Sequence, residues 1–189
     1  MKSKIISKIV FLLLLLSVSN VFAEENDVKF ITGYIQGVND NKITLSNNMV
    51  FRANEHVTAI SMTPVVFVLG KNSPDGFVYI KNRKVDVTLM KKSGSRVLMP
   101  AAEQDLEMYS DGQLFEVTSF SLNNGKINLK NGDNWFLTEA DAREQLKNWQ
   151  EADLVIIYKT SGSESMRLIN ARTTDQVKVS KTHEKLTAE

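Results

Sequence analysis

Polar and apolar residues alternate with a period of two through Lys42-Ile43-Thr44-Leu45-Ser46 and again through Lys126-Ile127-Asn128-Leu129, 84 residues further on. That alternation belongs to a half-buried strand, with Ile43 and Leu45 on one face and Thr44 and Ser46 on the other. Two other runs, Val65-Val66-Phe67-Val68-Leu69 and Leu154-Val155-Ile156-Ile157-Tyr158, are apolar at every position. Their length and β-branched content predict central strands rather than helices. Turn residues separate the strands at short intervals. Asn39-Asp40-Asn41 and Asn123-Asn124-Gly125 stand in matching places, with Gly125, and Asn41 in the first case, as the residues suited to a left-handed conformation.

The order of these features repeats. IQGVNDNKITLSN at 35–47 aligns with SFSLNNGKINLKN at 119–131. Each is followed by an aromatic stretch (Met49-Val50-Phe51, then Trp135-Phe136-Leu137), the apolar run, a polar turn, and a last strand (Phe77-Val78-Tyr79-Ile80, then Met166-Arg167-Leu168-Ile169). Self-similarity at a fixed spacing predicts a duplicated unit. The second unit carries an insertion: Thr138 as a cap, Asp141 three residues on, and Ala142, Leu146 and Trp149 at helical spacing predict a helix over about 139–150. The expected fold is therefore mainly β, all-β with one short helix in the second copy. It is built as two tandem barrel-like or curved-sheet modules of SH3-like or OB-like size.

The N-terminal run Ile9 to Leu16 has a different meaning. Lys2, Lys4 and Lys8 precede it, and Val21-Phe22-Ala23 supplies a cleavage site before Glu24-Glu25. This is the pattern of a secretory signal peptide, and the run is about half the roughly 20 apolar residues a membrane span needs. The expected division is a signal peptide at 1–23, a first β module at 24–90, a linker at 91–113 with a short helix over Ala101–Tyr109, a second β module at 114–180 and a disordered tail at 181–189. No membrane span is expected in the mature chain. Three of the 23 basic residues leave with the leader, which turns a net charge of +1 into a slight negative excess over 22 acids. A near-neutral protein offers nucleic acid no attractive field. The chain has no cysteine, which excludes disulfides, thiol catalysis and thiolate metal sites. No Asn-x-Ser/Thr acceptor occurs either, and together these favour a bacterial periplasm or an extracellular space after cleavage near Ala23.

Candidate chemistry is sparse. Of the two histidines, His183 lies in the tail and His56 follows Glu55 in an irregular segment, with no nucleophile in view. No phosphate-cradling loop, calcium loop or nucleophile elbow is present. No catalytic, cofactor-binding or metal-ligating residue, and no cofactor, is assigned. The acids Glu139, Asp141, Glu144, Glu151 and Asp153 cluster around the predicted helix, where first-turn and solvated roles explain them. Two groups stand as candidates for binding. Lys81, Arg83, Lys84, Lys91, Lys92 and Arg96 form a basic stretch opposed by Asp86 alone and suited to a polyanion. Trp135 and Trp149 are candidates for stacking on a sugar or peptide, with core packing as the competing account. The expected function is an exported, non-enzymatic binding or structural protein with an envelope or extracellular protein, peptide or glycan as partner. The alternative is a carboxylate-dependent hydrolase with its cleft between the modules.

Overall fold

A computed structural model describes residues 26–91, 109–160 and 165–181. Six strands fill the first stretch: β1 (Asp27–Asn39), β2 (Lys42–Leu45), β3 (Val50–Ala53), β4 (Pro64–Gly70), β5 (Asp75–Ile80) and β6 (Arg83–Lys91). They pair antiparallel in the order β1-β2-β3-β6-β5-β4, and β4 returns to β1, so the sheet closes into a six-stranded barrel. Further strands follow: β7 (Tyr109–Ser121), β8 (Lys126–Leu129), β9 (Asn134–Leu137), β10 (Leu154–Lys159), β11 (Met166–Asn170) and β12 (Gln176–Ser180). Their pairings run β7-β8-β9-β12-β11-β10, with β10 against β7. β1 and β7 also pair with each other, Asp27 opposite Gln113 and Ile31 opposite Tyr109, which joins everything into one sheet.

The doubly apolar runs now have a physical reason. On β4, Val65, Phe67 and Leu69 point into the barrel core, where the Phe67 ring stacks on Phe51 at 3.8 Å. Val66 and Val68 point outward and meet Phe30, Ile156, Tyr158 and Ile169 in a third core between the two groups of strands. β10 behaves alike: Val155 and Ile157 enter the core of the second group, while Ile156 and Tyr158 face the seam. Both faces of each strand are covered, so neither alternates. The Phe30 and Tyr158 rings lie 4.9 Å apart across the seam.

Gly112 is what lets β7 approach so closely. A Cβ there would lie 2.5 Å from the Ile156 side chain and 3.0 Å from the Ile157 carbonyl. Gly112→Ala is expected to push Ile156 out of place and cost about 1–3 kcal/mol, the usual range for overpacking. A lowered urea midpoint checks this.

Local chemistry differs from expectation in several places. The helix is one turn, α1 (Arg143–Leu146), with Ala142 at its N-cap and no side-chain cap. Thr138 does not cap it because its N–H donates to the Lys178 carbonyl and Glu139 pairs with Lys178, which holds that stretch against β12. The apolar stripe survives without a long helix: Ala142, Leu146 and Trp149 are all buried in the second core. In the first hairpin Asp40, not Asn41, takes the left-handed conformation (φ 55°), and Asn41 instead donates its amide to the Ala53 carbonyl. Gly125 is left-handed as expected (φ 62°). The linker expected at 91–113 loses both ends to strands, Lys91 closing β6 and Tyr109 opening β7. The leader at 1–23, the linker segment 92–108 with most of its short helix, and 182–189 of the tail lie outside the described residues. No helix among the described residues is long and apolar enough to cross a membrane.

Candidate ligand groove at the seam

β7 is the backbone of the candidate site. Its first half lies along β1, ending where the Leu114 N–H donates to the Asn26 carbonyl at 2.7 Å. Beyond that point the turn after β8 takes over, with the Lys130 N–H donating to the Glu116 carbonyl at 2.9 Å. Between the diverging walls opens a groove of about 670 Å³. Val28, Phe77, Leu114 and Leu154 give it an apolar floor drawn from the seam core. Asn26, Lys84, Glu116, Lys130 and Asn131 supply its polar groups.

Three ionisable side chains line the groove, and two of them satisfy each other: Lys130 Nζ lies 2.9 Å from the Glu116 carboxylate. The third is Lys84. It sits on the outer face of β6, diagonal to Phe77 on β5, and its ammonium lies 4.3 Å from the Phe77 ring centroid. The two-residue turn Lys81-Asn82, left-handed at both positions (φ 51° and 62°), ties β5 to β6 and fixes that register. No carboxylate among the described residues pairs with Lys84. Asn131 is committed to its own turn, accepting the Asp133 N–H at 3.0 Å and donating to the Asp133 carboxylate at 3.1 Å.

One wall is braced by a buried polar cluster that the sequence pattern did not reveal. Asp153, 6% exposed, directly precedes Leu154 of the floor. Its carboxylate accepts from Arg172 Nε at 2.6 Å and Nη2 at 2.8 Å, from Asn170 Nδ2 at 2.8 Å and from the Gln150 N–H at 2.8 Å. Burial alone would raise this carboxyl, but the hydrogen bonds from Arg172, Asn170 and Gln150 outweigh it and hold it below its ordinary value. Across the seam, the phenol of Tyr79 on β5 is raised, by burial first and then by the Asp153 charge.

Only part of the basic stretch falls among the described residues. Lys81 sits in the turn, Arg83 pairs with Glu55 at 3.4 Å, and Lys84 lines the groove. Lys91 ends β6, about 26 Å from Arg83 at about 3.3 Å per residue. Lys92 and Arg96 lie outside the described residues. The two tryptophans offer no face for stacking: Trp135 is 5% and Trp149 3% exposed, both within the second core. Lys181 lies over Trp135 with its Nζ 5.2 Å from the ring.

None of the clustered acids lines the groove. Glu139 pairs with Lys178, Glu144 with Lys147 at 2.6 Å, and Asp153 with Arg172, so Glu116 is the one carboxylate among the residues lining the groove. Among the described residues no three His, Asp or Glu side chains converge as metal ligands would. In the sequence Phe77 was legible only as a strand residue, Leu114 only as the start of the second module and Asp153 only as one of the acids around the predicted helix, because the seam that unites them depends on the pairing of β1 with β7. The chain matches no protein-family model, no curated protein and no solved structure.

Proposed function

We propose that the protein is an exported, non-enzymatic binding module built from two tandem copies of one small barrel, of SH3-like or OB-like size, and that its ligand lies in the groove at the seam. The duplication is supported by register. Ile35 faces Leu45 where Val117 faces Leu129, and a register shift follows in both places, at Ile35/Gly37 and at Val117/Ser119. Ile43–Phe51 corresponds to Ile127–Trp135, Phe67–Val78 to Ile157–Leu168, and Val78–Val85 to Leu168–Val177. This places Val65 on Val155, one residue away from the alignment that the sequence alone suggests. The junction is self-complementary too. Lys29, the counterpart of Asp111, pairs with Asp111 itself, and Asp27–Gln113 and Ile31–Tyr109 are arranged symmetrically about that pair. Such a contact is what a two-fold dimer would have, here held within one chain. Export rests on the leader pattern at 1–23 and the absence of cysteine.

The observation that carries the binding role is the groove itself: both copies build it, its floor is apolar, and one ammonium in it has no carboxylate partner. The hydrolase alternative needs two carboxylates facing a cleft, and the groove offers Glu116 already held by Lys130. A chain without cysteine makes the test direct. A single thiol is introduced at the rim by Asn26→Cys, or at a distant exposed site by Lys147→Cys, and labelled with an environment-sensitive fluorophore. Titration with a panel of anionic, neutral and cationic amphiphiles, sugars and peptides is expected to change the Asn26 label and leave the Lys147 label silent. A rim label that responds to nothing in the panel, or two labels that respond alike, would refute the binding role.

A further inference from the structure

We propose that the groove holds a small amphiphilic anion, with an apolar body on the Val28–Phe77–Leu114–Leu154 floor and a single carboxylate, sulfonate or similar headgroup on Lys84. This rests on the binding reading above and names the ligand class for the same groove. Charge sets the headgroup. Glu116 and Lys130 cancel, which leaves the groove with one positive charge, carried by Lys84. The Lys84 ammonium lies over the Phe77 ring, 4.3 Å from its centroid, which places the charge beside the apolar floor.

The floor sets the body. Its four side chains carry no polar atom, so a sugar ring would find few partners for its hydroxyls there. Of the two asparagines that line the groove, Asn131 is engaged with Asp133. Backbone engagement argues against a peptide laid down as an added strand. Along the floor β7 pairs with β10 on one edge through Gln113–Glu116, while on the other edge Leu114 donates to Asn26 and Glu116 accepts from Lys130. Strand addition needs an open edge. Recognition here therefore falls to side chains, and about 670 Å³ is the size of a small-molecule site, within the usual range of about 300–1,000 Å³.

Two dyes that differ by one charge test the class on the full chain: anilinonaphthalene sulfonate, and N-phenylnaphthylamine, which lacks the sulfonate. The anionic dye is expected to bind about tenfold more tightly than the neutral one, a preference that Lys84→Arg keeps and Lys84→Glu abolishes. Lys84 is exposed, so both variants should fold, and an unchanged urea midpoint verifies it. Equal affinity for the two dyes, or a preference that persists in Lys84→Glu, overturns the anion class. The rim label at Asn26→Cys separates this from failure of the groove itself. If it responds to the neutral dye alone, the groove binds but the headgroup assignment is wrong. If it responds to neither dye nor to an alternating Asp–Leu peptide, both readings fall. Tighter binding of that peptide than of the anionic dye, lost in Lys84→Glu, would replace the small ligand with a polypeptide.

Discussion

Gly76→Ala is expected to destabilise the protein by about 3 kcal/mol or more, at the upper end of what a single added methyl does. Gly76 lies in β5 between Leu69 of β4 and Val87 of β6. A Cβ built on it would sit 1.8 Å from the Val68 carbonyl oxygen and 2.8 Å from the Leu69 Cα. These are backbone atoms, so no rotamer change relieves the contact, and β4 and β5 must separate. That separation strikes twice, because β4 sends Phe67 and Leu69 into the barrel and Val66 and Val68 into the seam. Gly37→Ala is the matching control. Nothing lies within 4 Å of a Cβ there, so the substitution is expected to be neutral or to stabilise by about 0.5 kcal/mol through the unfolded chain. Urea titrations of both variants at neutral pH give the comparison, and a Gly76→Ala midpoint equal to that of Gly37→Ala would show that the strands are not packed so closely.

Gly76 also marks where sequence reading reaches its limit. Strand identity was legible because alternation and turn chemistry are local: Lys42–Leu45, Lys126–Leu129 and the two apolar runs all became strands. The burial of Trp149 with Ala142 and Leu146 agrees with their helical spacing, and for both tryptophans core packing prevails over stacking on a ligand. Partner strands were not legible. An apolar run with both faces covered shows that something lies on each side, without telling that one side is a barrel interior and the other a seam. The groove depends on that missing piece, since Phe77, Lys84 and Leu154 belong to strands far apart in the chain that the seam and the pairing of β1 with β7 bring together. The helix failed for a related reason. Its apolar stripe was correctly placed along the chain, but its cap was not: Lys178, forty residues from Thr138, takes the residues that would have begun it, and Ala142 stands at the N-cap.

The largest loss is expected from Asp153→Ala, at about 3–5 kcal/mol, the cost of leaving a buried charge without its partner. Arg172, with its side chain 12% exposed, would keep its guanidinium among the loops at the seam with one acceptor left, the Asn148 carbonyl at 2.7 Å. Asn170 Nδ2 and the Gln150 N–H would lose their acceptor as well. Asp153→Leu combined with Arg172→Met removes both charges together and is expected to recover part of the loss; Asn170 and Gln150, still unmatched, prevent full recovery.

Acid titration distinguishes this account from simple loss of packing. The folded carboxyl of Asp153 is held below its ordinary value, so its contribution is fully present above the unfolded pKa of about 3.9 and disappears as pH falls through the lower folded value. The gap in urea midpoint between the wild type and Asp153→Asn, which cannot ionise, should therefore be constant from pH 7 to about pH 5 and shrink below about pH 4. Asp27, lowered by its hydrogen bond to Lys71, titrates in both proteins and cancels from that difference. A gap that stays the same down to the most acid samples would mean that the ion pair contributes nothing and that Asp153 serves the wall of the groove by its shape alone.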